Sequence, residues 1–163
     1  MTAQDLSREQ DAPDEIAIPA LLRHARTTYG TAMRRALAAA GCDDMPKNGL
    51  YVIGGLALET IQVPLSQLIA ELRISKQAAG QLVDTLVTRG YLERTVDADD
   101  RRKLTITLTE RGRMAASVQA GARRKVDETL IARVGVEHVE HTRATLAALI
   151  DIGMKAEAEE ASE

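Results

Sequence analysis

Ser75, Lys76, Gln77, Gln81 and Thr85 fall together on a stretch with helical spacing, 75–89. They are the residues of this chain best suited to reading a pattern of hydrogen-bond donors and acceptors. A glutamine carboxamide offers the paired donor and acceptor that adenine presents in the major groove, and Gln77 and Gln81 stand one turn apart. Lys76 suits a phosphate or a guanine. Ser75 precedes the first helical residue, so as N-cap it would mark the end of the helix whose amides and dipole face an anion. Gly80 lies between the two glutamines and would let the helix approach a groove closely. A second group begins with Arg101 and Arg102, which follow Asp97, Asp99 and Asp100 on a polar turn, and continues with Lys103 just beyond it. Cations there could enter a narrow minor groove, where negative potential is enhanced. The aspartates would repel phosphates, so Arg101 is expected to point outward while Arg102 pairs with an acid such as Asp84 or Asp97. A solvated helix face and a charge-balanced hairpin tip would each look similar alone. Together they point to double-stranded DNA.

The elements that must hold these groups follow from periodicity. Residues 65–72 read as a short helix, and Arg73-Ile74 as a tight turn before the second helix, whose Ala79, Leu82, Val83 and Leu86 form an apolar face. Two β-rich runs, 91–96 and 103–108, flank the polar turn, and 61–63 could add a short strand. This is the layout of a winged helix-turn-helix, one helix for the major groove and a wing for the minor. On either side lie longer helices. Leu22, Tyr29, Met33, Leu37 and Ala40 recur at helical spacing until Gly41, and 48–58 forms a short apolar helix containing Gly54-Gly55. Thr109 is placed to cap a helix with Met114, Val118, Ala122, Val126, Leu130 and Val134 every four residues, ended by Gly135. A last helix is expected over 137–155. The apolar stripes of the terminal helices are too long for a small winged domain to cover, and pairing with a second copy is the simplest way to bury them.

The organisation expected is therefore 1–17 as a disordered acidic tail, 18–44 as an N-terminal dimerisation helix, 45–109 as the winged helix-turn-helix, 110–155 as C-terminal dimerisation helices and 156–163 as a second acidic tail. The fold class is mainly α with a small β-hairpin. The net charge of −3 conceals the distribution: residues 1–15 and 156–163 carry −4 each, so residues 16–155 carry +5. The basic body suits a nucleic-acid partner.

Composition excludes several alternatives. Three tyrosines with no phenylalanine or tryptophan cannot build a base-stacking platform for single strands. No apolar run approaches a membrane span, and the N-terminus lacks the order of a signal peptide. A single cysteine, Cys42, forms neither an intrachain disulfide nor a zinc site, so a reducing cytoplasm is expected. No paired carboxylates, nucleophile–histidine pair or phosphate-binding glycine loop suggests an enzyme. No cofactor is expected. His138 and His141 lack partner ligands, so no metal is expected either.

The strings at 74–86, Gly90–Arg94 (GYLER), Asp97–Arg102 (DxxDRR) and Leu108–Gly112 (LTxxG) together resemble the MarR family of winged-helix regulators. The resemblance runs from about residue 48 to 118, and the flanking helices fit that family's dimerisation region. It implies a symmetric homodimer on a pseudo-palindromic operator, acting as a repressor and released by a small-molecule effector. The alternative is a winged-helix adaptor that binds protein instead of DNA. His24, Tyr29, Met33 and Tyr51 could line an effector pocket, or could simply pack the core. The chain also departs from its relatives. Arg73 stands where many have glycine, Gly80-Gln81 where Ser-Arg is common, and Asp99 where the wing is often basic. Cys42 ends the first helix beside Asp43 and Asp44, unlike the cysteine of the family's peroxide sensors, which lies near that helix's start.

Overall fold

The computed structural model describes residues 16–57, 66, 69–70, 72–96 and 104–160. Among these, the elements run α1 (Ile18–Ala39), α2 (Gly49–Leu56), α3 (Lys76–Thr88), β1 (Leu92–Val96), β2 (Leu104–Leu108), α4 (Glu110–Val134) and α5 (Val136–Glu160). Ser66, Ile69 and Ala70 are also helical. The possible strand at 61–63, the tail before Ile16 and the wing tip lie outside the described residues. The architecture is mainly helical with one two-stranded antiparallel hairpin, a winged helix-turn-helix.

Local chemistry sets the ends of these helices. At the end of α1 the Cys42 amide donates to the Leu37 carbonyl (2.8 Å) and the Gly41 amide to Ala38 (3.1 Å), with Gly41 at φ +75°. At the end of α3 the same pattern recurs: Tyr91 to Leu86 (2.9 Å), Gly90 to Val87 (2.9 Å) and Gly90 at φ +72°. Both are Schellman caps, in which a left-handed residue lets two terminal carbonyls find donors. Each cap also brings together a buried apolar pair, Leu37 with Cys42 and Leu86 with Tyr91. Arg73 occupies the corresponding left-handed conformation (φ 50°) in the turn before α3, with its amide donating to Ala70. That geometry explains why a glycine is favoured there.

The chain divides into two compact units, one through Arg123 and one from Arg124. The core of the first joins Leu37 and Cys42, Val52 and Ile53 of α2, Leu82 and Leu86 of α3, Tyr91, Leu92 and Leu108 of the hairpin, and Ala115 and Ala116 of α4. Leu92 pairs with Leu108 in the ladder, so both close the hairpin root onto that core.

Two features differ from expectation. The buried face of α4 is Gly112, Ala115, Ala116 and Gln119, while Met114 is exposed and Val118 only half-buried. Small residues win that face because the helix passes very close to its neighbours: a Cβ on Gly112 would sit 2.1 Å from the Tyr91 carbonyl oxygen. The acidic segment after 155, expected to be disordered, is instead helical through Glu160. Its alanines and glutamates are strong helix formers and carry α5 onward.

In the second unit Val139 is the buried residue of α5, and Leu130, Val134, Val136, Ile150, Ile152 and Met154 are exposed. Arg143 faces Asp127 (3.9 Å) and Glu140 (3.8 Å) on its surface, and exposed pairs of this kind add little.

Candidate functional site

Helix α3 presents the chemistry on one face and anchors itself with the other. Ala79, Leu82, Val83 and Leu86 are buried; Ser75, Lys76, Gln77, Gly80 and Gln81 are exposed. The Ser75 hydroxyl accepts from the Ala78 amide (3.2 Å), capping the helix as the sequence suggests. Thr85 is half-buried and its hydroxyl donates to the Gln81 carbonyl (2.6 Å), so that group is already used within the helix. Arg101, Arg102 and Lys103 lie outside the described residues. Asp84, considered above as a partner for Arg102, is engaged by Arg94 of β1. Arg94 is ten residues away across the helix-to-strand turn and meets Asp84 on the outer surface of the hairpin. The wing's outward strand face is thereby tied to the exposed edge of α3.

A second group of residues was not legible as a set in the sequence. Asp44, in the turn after α1, receives the Tyr91 hydroxyl on Oδ1. The Arg111 guanidinium reaches both its oxygens, Nη2 to Oδ1 at 2.9 Å and Nη1 to Oδ2 at 3.3 Å. Arg111 also donates to the carbonyls of Gly41 (3.2 Å) and Arg89, and lies 4.2 Å above the centroid of the Tyr91 ring. Arg89 in turn donates to the Asp44 carbonyl. The planar guanidinium matches a carboxylate and a ring face at once, which a lysine could not do. The Tyr91 hydroxyl first, then Arg111 and Arg89, hold the Asp44 carboxyl below its ordinary 3.8 against the opposite pull of burial. Burial, then the hydrogen bond to Asp44, push the Tyr91 phenol upward. Beside this group Thr109 joins wing and helix. Its hydroxyl accepts from the Gly112 amide (3.0 Å) and donates to the Gly90 carbonyl (2.5 Å), while its amide donates to Tyr91 (3.1 Å).

A cleft of about 760 Å³ opens in the first unit between α1, α2 and α4. Tyr29, Met33 and Tyr51 line it; His24 does not, and is exposed on α1. Arg23, Arg26, Arg34, Lys47 and Arg123 also line it, with no acidic residue among the lining groups. Gly54 allows Gln119 to reach the wall, since a Cβ there would lie 2.6 Å from the Gln119 Nε2. Cys42 is buried in the core (1 % exposed), out of reach of a solution oxidant. Among the described residues no His, Cys, Asp and Glu cluster could hold a metal, and no helix is long and apolar enough to cross a membrane.

Comparison with known proteins adds to this geometry. No curated protein sequence matches the chain significantly. Among solved structures, the chain is similar to MepR of S. aureus in its DNA-binding conformation, with TM-score 0.65 at 18% identity over 83% of this chain and 98% of that one. The MepR–DNA complex of S. aureus gives TM-score 0.64 at 19% identity, over 84% and 98%. S. aureus MepR bound to ethidium bromide gives 0.55 at 19%, over 85% and 97%. The sequence profile of the MarR family matches residues 53–103, a segment that includes the whole of α3 and β1. Residues 53–103 of this chain thus carry the sequence profile of the MarR family, on a winged helix-turn-helix fold shared with MepR.

Proposed function

We propose that this protein is a sequence-specific, DNA-binding transcriptional regulator, a homodimeric repressor of a pseudo-palindromic operator that a small molecule releases. The observation that carries the reading is α3, whose capped N-terminal half exposes Ser75, Lys76, Gln77 and Gln81 while its apolar face is buried. In this reading Gln77 and Gln81 meet base edges, with Ser75, Lys76 and Thr85 beside them, and Arg101, Arg102 and Lys103 meet the backbone or the minor groove. MepR, whose fold the chain shares, has been seen in complex with DNA.

Dimerisation is supported by the apolar surface left over. In the second unit large aliphatic residues remain exposed along α4 and α5, and two helices with so little of their own core need a partner. Residues 18–44 and 110–155 would supply the dimer contacts around the winged region 45–109, and two copies would set half-sites about 10 bp apart. For the effector, five cations and no acid around the cleft favour an organic anion, held against Tyr29, Met33 and Tyr51. MepR binds ethidium, an organic cation, so the two proteins would differ in the charge they accept.

Selection of bound sequences from a random duplex pool tests the reading, with a palindrome as the expected result. On the selected site, Gln81→Ala should relax preference at one base position by about 1–3 kcal/mol. Arg101→Ala should weaken binding to all sequences and flatten the salt dependence by about one contact. Failure to enrich any sequence, with no salt-dependent shift of duplex, would overturn DNA binding in favour of a protein-binding adaptor.

A further inference from the structure

We propose that Asp44, Arg111 and Tyr91 form a positioning clamp that sets how α3 and the wing are presented to DNA, and so controls affinity without touching DNA. The inference rests on the DNA-binding reading above and adds residues that no base or phosphate contact would identify. Four chain segments meet at the clamp. Asp44 comes from the turn after α1, Arg89 from the C-cap of α3, Tyr91 from the residue before β1, and Arg111 from the first turn of α4. Arg111 donates to the Arg89 carbonyl at the end of α3 and to the Gly41 carbonyl at the end of α1. The rear of the recognition helix and the root of the wing are therefore held by one bidentate guanidinium–carboxylate pair, with a buried phenol (0 % exposed) beneath it.

The geometry favours positioning over DNA contact. Arg111 already spends its donors on two carboxylate oxygens and two carbonyls, leaving a poor phosphate ligand. The Tyr91 hydroxyl points inward to Asp44. Asp44 carries the wrong sign for a phosphate, and this allows a test whose sign separates the two roles. By charge alone, removing an acid from a DNA-binding protein tightens its hold on DNA. If Asp44 holds the clamp, removing it weakens that hold.

The test measures DNA affinity for Asp44→Asn, Tyr91→Phe and the double variant, using full-length protein well below its unfolding midpoint. The active fraction is counted by stoichiometric titration, so that partial unfolding cannot imitate lower affinity. Each single variant is expected to weaken the selected duplex by roughly two- to thirtyfold. The double variant should be no worse than the weaker single, because both act on one contact. Tyr91→Phe changes no charge and keeps the ring beneath Arg111, so it remains informative if Asp44→Asn folds poorly. Asp44→Asn binding as tightly as wild type or tighter, or Tyr91→Phe binding unchanged, would overturn the clamp while leaving DNA binding intact. A wild-type chain that shifts no duplex would overturn the DNA-binding reading, and the clamp's role in affinity with it.

Discussion

The same substitution at two helical glycines should have opposite effects. Gly80 lies inside α3 with nothing within 4 Å of an added Cβ and without a positive φ. Alanine there gains helix propensity, about 0.8–1 kcal/mol. For a chain of this size that is roughly 2–4 °C in Tm. Gly112 lies in the first turn of α4, where alanine has the same propensity advantage. Its Cβ would meet the Tyr91 carbonyl oxygen at 2.1 Å, and the Leu108 Cδ2 at 3.0 Å. To restore ordinary contact the backbone must part by about 1 Å, since an overpacked interior yields only by shifting. The oxygen in the way also accepts the Thr109 amide at 3.1 Å, and this bond stretches with it. An overpacking cost of about 3 kcal/mol, plus about 1 kcal/mol for the weakened hydrogen bond, less the propensity gain, leaves a net loss of about 3 kcal/mol. Urea unfolding followed by circular dichroism measures both. Gly112→Ala as stable as wild type would refute the close approach of α4 to the wing root. Gly80→Ala without a gain would refute the open space at α3.

Ser75→Ala removes the cap acceptor for the Ala78 amide and should cost about 1 kcal/mol, read from the urea midpoint; no change would mean that solvent serves the amide equally well. Arg73→Gly releases a left-handed non-glycine residue and should leave stability unchanged or raise it by up to about 1 kcal/mol. A loss larger than that would show that Arg73's own interactions outweigh its backbone strain. The Asp44 carboxyl is lowered in the fold from 3.8, so its contribution is fully present at neutral pH, above the unfolded value. It disappears as pH falls through the folded value. Asp44→Asn should therefore be less stable than wild type at pH 6, with the gap closing below about 3.8; a gap independent of pH would contradict the charged clamp.

The expected and observed elements agree best where the signals are local. Ser75 and Gly90 delimit α3 by capping chemistry acting over three or four residues, and the Ala79–Leu82–Val83–Leu86 face follows from helical spacing alone. Both strands lie within one residue of the β-rich runs. In α4 periodicity was a poorer guide. The four-residue repeat from Met114 marks a real stripe, but close packing selected the small face of Gly112, Ala115 and Ala116 for the core of the first unit. Asp84 illustrates the same limit. It met an arginine of the strand, Arg94, because antiparallel pairing and the turn after α3 bring that side chain alongside.

Residue type and spacing determined that α3 exists, where it begins and ends, and which of its faces is buried and which exposed. Those properties depend on hydrogen bonds and side chains a few positions apart, and so can be read along the chain. Only the tertiary structure brought Asp44 to Arg111, 67 residues away, with Tyr91 beneath them. It also opened a cleft whose five cations come from α1, the turn before α2, and α4. Such contacts depend on how closely separate helices pass, and that distance is set by packing, down to a missing Cβ at Gly112.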